Sequence, residues 1–286
     1  MRLSDAISRG ASLVGRQSAV HILQSVSGLT HEEIILHGCR ELHPTAFAEY
    51  EQKIKRVLNG EPLQYVLGKW DFCGIEFIVD RRALIPRPET ELLVEKVLCH
   101  IKDKQRLDIL DVCTGSGCIG LSIAKLTGFR HNMVLADSSG EALSLAKENY
   151  LHITQHRECS GTTREGETCF QIGFFKADLL EGIPGEFDVI VSNPPYITSQ
   201  DIKMLPENVK NFEPHLALDG GEDGLDIYRK LIPQSFEKLR PQGVLFLEIG
   251  PASAVEIMKK FGYSNTKIQK DYAGTDRILQ GVKNHV

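Results

Sequence analysis

From residue 107 to residue 249, short apolar runs of strand length alternate with helical segments, and this alternation constrains the fold more than any other feature. Residues 107–112, 133–137, 171–175, 187–192 and 244–249 read as strands. Residues 119–126, 139–150, 226–239 and 252–261 read as helices, and two closing strands are expected near Lys267 and Ile278. Strands separated by helical crossovers pair in parallel. The expected architecture is therefore an α/β, doubly wound, mostly parallel sheet with ligands at the carboxyl ends of its strands.

The first sixty residues lack this alternation. Thr30-His31-Glu32-Glu33 forms a capping-box word, in which hydroxyl and carboxylate satisfy orphan amides, and Ile34, Ile35 and Leu36 follow it. After Pro44, Phe47, Tyr50, Ile54, Val57 and Leu58 recur at helical spacing, and Gly60 suits the exit. From Trp70 to Val79 the period changes to two, broken at Gly74, as in a β-hairpin, and a helix over 90–101 follows. A chain of 286 residues accommodates one large domain and a small partner. The expected division is a helical recognition domain over 1–69, a hairpin linker over 70–85 and a catalytic domain over 86–286. The polar, unpatterned stretch 152–169 reads as a surface loop.

Composition narrows the class. With 42% hydrophobic and 25% charged residues the chain is neither disordered nor a disulfide scaffold, and it needs no metal staple for stability. Seven cysteines without a CxxC pair indicate reduced thiols, and the ten histidines show no metal-ligand spacing, so no metal is expected. Charges at Arg2, Asp5 and Arg9 interrupt the N-terminus where a signal peptide would need an apolar run. No uncharged apolar stretch reaches the ~18 residues of a spanning helix. A cytoplasmic protein without membrane contact is expected. The formal charge of −5 falls entirely beyond residue 85, because the first 85 residues carry ten side chains of each sign. That balance argues against a surface that coats nucleic acid.

Three motifs carry chemistry. Asp111-Val112-Cys113-Thr114-Gly115-Ser116-Gly117 follows a strand and opens a helix. Its glycines let the backbone approach a ligand, and the helix start presents unpaired amides. The D-x-x-x-G-x-G pattern differs from the dinucleotide fingerprint and lacks the Lys-Ser/Thr of a phosphate loop. A ligand with an amino-acid tail and an adenosine suits it better. Asp137 ends the second strand, twenty-six residues after Asp111, where a carboxylate binds both hydroxyls of a ribose; Ser138 and Ser139 already supply helix-capping groups. Asp178, past the third strand, is placed to accept from an adenine amino group. The trio suggests S-adenosylmethionine, leaving S-adenosylhomocysteine as product.

The third motif, Asn193-Pro194-Pro195-Tyr196, follows the buried strand 187–192, and such a word arises by chance in about one chain of this size in a thousand. A nitrogen conjugated to a carbonyl or a base is a poor nucleophile because its lone pair is delocalised. The Asn193 side-chain oxygen and the Pro194 carbonyl together accept both NH₂ hydrogens and aim the nitrogen at a methyl donor. The prolines stiffen that carbonyl, and Tyr196 stacks on the planar group. Positioning, rather than a strong base, then supplies the rate.

These words extend into a wider resemblance. Gly60 with Glu61-Pro62-Leu63-Gln64-Tyr65-Val66-Leu67-Gly68, Leu84-Ile85-Pro86-Arg87-Pro88-Glu89-Thr90-Glu91, Glu213-Pro214-His215-Leu216-Ala217-Leu218 with Gly220-Gly221, and Lys270-Asp271-Tyr272-Ala273-Gly274-Thr275-Asp276-Arg277 run nearly end to end. In them the chain resembles the protein-(glutamine-N5) methyltransferases that modify peptide chain release factors. The resemblance implies a class I, Rossmann-like methyltransferase fold with a mixed seven-stranded sheet behind an N-terminal helical bundle. The implied substrate is the glutamine of the Gly-Gly-Gln loop of class I release factors, and a monomer is expected. The donor is expected against residues 113–117, Asp137, Leu179 and Asn193, and the substrate glutamine against Asn193, Pro194, Pro195 and Tyr196. Two departures stand out. The first motif glycine of the family is Cys113 here, which tightens the wall around the donor, and Leu179 stands where relatives often carry an aromatic beside the adenine.

Other residues allow plainer readings. Arg87 and Glu89 serve either as a salt-bridged entry to the helix at Thr90 or as part of the donor pocket. Glu213 either orders a loop over the substrate or is a turn carboxylate. Lys53, Lys55 and Arg56 read as a solvated helix face, and Cys99 and Cys118 as buried fillers. The rival activities are methylation of adenine N6 in DNA or RNA with the same NPPY machinery, and a binding module that has kept the fold and lost turnover. The LIPRPETE word and the charge oppose the first, and the intact motifs oppose the second.

Overall fold

The computed structural model describes residues 1–155 and 171–284. The chain divides into two compact units, Met1–Trp70 with Pro206–Phe212, and Asp71–Leu205 with Glu213–Val286.

The first unit is helical. Helices α1 (Leu3–Val14), α2 (Arg16–Ser27), α3 (His31–Leu36), α4 (Pro44–Leu58) and α5 (Leu63–Leu67) bury Leu3, Ile22, Leu23, Ile34, Tyr50 and Ile54 between them. The capping box at Thr30 is present: Thr30 Oγ1 accepts from Glu33 N at 3.2 Å while Glu33 Oε2 accepts from Thr30 N at 2.8 Å. Tyr50 donates its hydroxyl to the Ala6 carbonyl at 2.9 Å. A Cβ on Gly10 would sit 2.0 Å from that hydroxyl, so only glycine lets α1 approach α4 there. The solvated stripe expected on α4 is partly tied down: Glu61 holds Arg56 in a bidentate pair, with both N–O distances 2.8 Å.

The hairpin expected from the period-two pattern is β1 (Lys69–Phe72) and β2 (Ile75–Ile78). Both turn residues are left-handed, Cys73 at φ 54° and Gly74 at φ 71°, the mirror-image turn that matches strand twist. Helix α6 (Pro88–Ile101) follows. A seven-stranded sheet then forms from β3 (Asp108–Val112), β4 (Asn132–Asp137), β5 (Ile172–Lys176), β6 (Phe187–Ser192), β7 (Leu239–Glu248), β8 (Tyr263–Lys270) and β9 (Asp276–Lys283), in the order β5-β4-β3-β6-β7-β9-β8. Neighbours from β5 to β7 pair in parallel, and β9 runs antiparallel to both β7 and β8. Strand β7 begins five residues before the expected 244, because its register with β6 shifts between Phe187 and Val189 around the polar segment Arg240–Gly243.

Helices α7 (Cys118–Leu126), α8 (Gly140–Thr154), α10 (Asp226–Lys238) and α11 (Ala254–Lys260) make the crossovers, and the short α9 (Glu207–Lys210) groups with the helical unit. Of the loop expected over 152–169, residues 152–154 belong to α8, and 156–169 lie outside the described residues. Cys118 is buried, but Cys99, expected to be a filler, is exposed: the buried face of α6 passes through Val94, Val97 and Ile101 instead. Among the described residues no helix is long and apolar enough to cross a membrane.

The strand order reverses between β3 and β6, and Ser192 Oγ donates to the Val112 carbonyl across that gap at 2.6 Å. This switch point is where a doubly wound sheet opens a crevice.

Candidate active site

At the end of β3 the chain turns sharply into α7. Cys113 occupies a left-handed conformation, φ 57°, which favours glycine, the residue expected there from the family resemblance. Asp111 is fully buried beneath this turn; its Oδ2 accepts from Thr114 Oγ1 at 2.6 Å and from Gly120 N at 2.9 Å. Asp111 thus folds the loop onto the helix, and neither it nor Gly117 lines the cavity above, whereas Cys113, Thr114, Gly115 and Ser116 do. Among the described residues its Oδ1 has no partner, and burial pushes its pKa up to about 7. A carboxyl whose folded pKa is raised stabilises the fold fully below its unfolded pKa, and that contribution is lost as pH rises through about 7. The Tm advantage of Asp111→Asn over the wild type is therefore expected to be larger at pH 8 than at pH 5, by about 2–4 °C per kcal/mol relieved. A difference independent of pH would contradict the assignment. Burial also raises the thiols of Cys113 and Cys118, so neither offers a thiolate nucleophile.

Asp137 stands at the end of β4 on the cavity wall. Its Oδ2 accepts from Gly115 N at 2.8 Å and its Oδ1 from Ser139 N at 2.9 Å. Ser139 caps α8, its Oγ accepting from Ala142 N at 3.1 Å, so capping is not the task of Asp137. The carboxylate keeps acceptor capacity beyond its backbone bonds for a ligand hydroxyl. Asp178 and Leu179 complete this side of the cavity, and Leu179, like Cys113, is left-handed, at φ 55°. Behind the glycine loop, buried Asn149 bonds to both Ile78 N and O, at 2.6 and 3.0 Å, and donates to Ser116 O at 3.0 Å. It thereby pins β2 and α8 to the loop.

The NPPY segment leaves β6 opposite this wall. Asn193 and Pro195 line the cavity, whereas Pro194 and Tyr196, expected with them against the substrate, are not among its lining residues. Tyr196 lies against Gly250, where a Cβ would come within 2.4 Å of its ring. Its hydroxyl donates to Glu248 Oε1 at 3.1 Å, and Asn193 Nδ2 donates to Thr90 Oγ1 at 3.2 Å. Arg87 also lines the cavity and pairs with Glu213 at 2.5 Å. Glu213 is only 4% exposed and accepts from Ile85 N at 3.1 Å, so it ties the LIPRPETE segment to the loop that carries Pro214, Leu216 and Ala217 over the cavity.

Comparison with known proteins now decides the family. A model described as "Methyltransferase small domain" matches residues 88–221, and one described as "PrmC N-terminal domain" matches residues 14–68. A release factor glutamine methyltransferase of Koribacter versatilis is 40% identical over 249 residues, covering 85% of this chain and 82% of that protein. One of Clostridium acetobutylicum is 38% identical over the same length, with the same coverage. The chain belongs to the release factor glutamine methyltransferase family. Its fold is also that of a methyltransferase from Pyrococcus furiosus, with a TM-score of 0.53 at 19% identity over 82% of this chain and 100% of that one.

S-adenosylmethionine is the methyl donor of this class I methyltransferase fold, and the cavity's chemistry fits it. Its lining combines the carboxylates of Asp137 and Asp178 with the apolar side chains of Ala83, Ile119, Ala142, Ala177 and Leu179, a set suited to a molecule with both hydroxyls and a purine. Among the described residues Ser116 Oγ, buried on the wall, has no partner beyond the weak one of the Cys118 thiol, so a polar tail would satisfy it. Sequence reasoning did not single out Asn149, Glu248 or Arg277, although Thr90 and Arg277 stood inside family words quoted whole.

Proposed function

We propose that the chain transfers the methyl group of S-adenosylmethionine to the side-chain amide nitrogen of the glutamine in the Gly-Gly-Gln loop of class I peptide chain release factors. The observation that carries this reading is Asn193, which lines the cavity while its NH₂ is engaged by Thr90, leaving Oδ1 as the group offered to an acceptor. Asn193 Oδ1 and the Pro194 carbonyl take the two hydrogens of the substrate amide, and Tyr196 packs on its plane. Bound S-adenosylmethionine supplies an electrophilic methyl group on a sulfonium. A nitrogen–carbon bond forms as the sulfur–carbon bond breaks. The two acceptors hold the protons that become acidic on nitrogen, and one proton passes to solvent. Asp111, Cys113, Thr114, Gly115, Ser116, Gly117, Asp137, Asp178 and Leu179 form or support the donor side.

In the same reading residues 1–69 recognise the release factor, 70–85 link the parts and 86–286 catalyse. The protein acts as a cytoplasmic monomer and does not bind nucleic acid directly, in keeping with its charge of −5. Incubation with methyl-labelled S-adenosylmethionine and a release factor, followed by peptide mass spectrometry, is expected to place the label on the Gly-Gly-Gln glutamine. Label on DNA or RNA and none on that peptide would establish the adenine reading instead. Light scattering checks the monomer.

A further inference from the structure

We propose that Thr90 and Glu248 are positioning residues: a buried hydrogen-bond relay through them fixes which end of the Asn193 carboxamide faces the substrate. The inference rests on the functional reading of Asn193 and extends it to Thr90, which lines the same cavity, and to Glu248, which does not.

Amide oxygen and nitrogen are nearly the same size, so packing alone does not choose between the two flips of Asn193; its hydrogen-bond partners must. Thr90 Oγ1 lies 3.2 Å from the Asn193 amide and 2.6 Å from Glu248 Oε2. A hydroxyl has one proton, and an ionised carboxylate only accepts. The Thr90 proton is therefore committed to Glu248, and Thr90 meets Asn193 solely as an acceptor. Only the NH₂ end of Asn193 satisfies it, and Oδ1 turns to the cavity.

Glu248 anchors the relay at its far end. It is 2% exposed, as is Thr90. Its Oε1 accepts from Tyr196 Oη at 3.1 Å, and Arg277 Nη1 donates to that same hydroxyl at 3.4 Å. Asp271 Oδ2 holds Arg277 in turn at 3.1 and 3.2 Å. Tyr228 Oη fixes the Glu248 backbone carbonyl at 2.8 Å. Burial, with the charge of Glu89, raises the Glu248 carboxyl above the usual range, and the Thr90 and Tyr196 hydroxyls and the Arg277 charge pull it back toward the ionised form. One carboxylate thus sets the orientation of two NPPY side chains. The components come from α6, the NPPY loop, β7 and β9, so no contiguous motif discloses the relay that joins them.

The test compares Thr90→Ser, Thr90→Val and Glu248→Gln in the full chain. Thr90→Ser keeps the hydroxyl and is expected to retain kcat within about threefold. Thr90→Val keeps the shape, loses the relay and is expected to lower kcat about 30-fold or more, with KM for the release factor and Kd for S-adenosylmethionine moved less than threefold. Glu248→Gln offers an NH₂ to one of the two hydroxyls and is expected to behave like Thr90→Val. In an Asn193→Ala background Thr90→Val should cost nothing further, because both changes remove one function.

A full additional loss there would overturn the proposal, as would equal rates for Thr90→Ser and Thr90→Val, or a loss confined to KM. A readout without turnover separates this idea from the methyltransferase reading and stands if Glu248→Gln misfolds. The Asn193 carboxamide protons, assigned by their disappearance in Asn193→Ala, should exchange with solvent about tenfold faster in Thr90→Val than in Thr90→Ser. Equal exchange sinks the relay whatever the substrate.

Discussion

Asn193→Ala is expected to lower kcat for glutamine methylation by about 10³-fold, the size of effect produced by removing one preorganised polar group from a reacting centre. The donor's Kd is expected to stay within about threefold, because in the proposed reading the donor also rests on Asp137, Asp178 and the glycine loop, which line the cavity and which the substitution leaves in place. Misfolding does not account for such a loss. The hydrogen bond removed, Asn193 Nδ2 to Thr90 Oγ1, is long at 3.2 Å, and Thr90 keeps its shorter bond of 2.6 Å to Glu248. Deleting a bond of that kind costs about 0.5–1.5 kcal/mol of stability, a small part of what a domain this size holds. The decisive comparison is single-turnover transfer at saturating donor, alongside calorimetric titration of the donor. Near-normal turnover would remove Asn193 from the orienting role. A large rise in donor Kd with unchanged single-turnover rate would move Asn193 to the donor side.

The contrast between Asn193 and Thr90 shows how much of the site was legible in the sequence. The glycine loop and NPPY are legible because the local backbone demands them. A sharp strand-to-helix turn and a rigid carbonyl require particular residues next to one another, so their signal is contiguous. The strands were legible for a similar reason: a parallel sheet buried on both faces needs apolar runs, as at Val189, Ile190 and Val191 of β6. The relay partners have no such signature. Thr90 lies 103 residues from Asn193 and 158 from Glu248, and only the tertiary fold brings them together. Cys99 misled for the opposite reason. Its neighbours on α6 are apolar, but it projects from the exposed face of the helix, and a local composition average does not register that angle. Asp111 belongs to both categories. Its place in the motif was plain, but it serves beneath the loop rather than in the cavity, a distinction set by its bonds to Thr114 and Gly120.

In the proposed reading Asp137 is therefore the carboxylate on which donor affinity turns, and Asp137→Ala is expected to raise the donor's Kd by about 10²–10⁴-fold. The estimate follows from two charge-assisted hydrogen bonds to a ribose diol, each about 1.5–3 kcal/mol, with every 1.4 kcal/mol a factor of ten. The same substitution also releases Gly115 N and Ser139 N from the carboxylate, loosening the loop that shapes the tail pocket. Asp137→Asn separates the two effects, since its remaining oxygen keeps one amide and one hydroxyl, and an intermediate Kd is expected. Acidity supplies a further check. Burial raises the pKa of Asp137 against the opposing pull of the Ser139 and Gly115 amides. The diol donates to the ionised form, so donor affinity is expected to rise as pH climbs through that raised value and to level off above it. In Asp137→Asn this slope should disappear. Calorimetric titration with S-adenosylhomocysteine at several pH values measures all three expectations without turnover. An unchanged Kd in Asp137→Ala would mean that the carboxylate acts, like Asp111, only as a brace for the loop, and that the diol is bound elsewhere on the cavity wall.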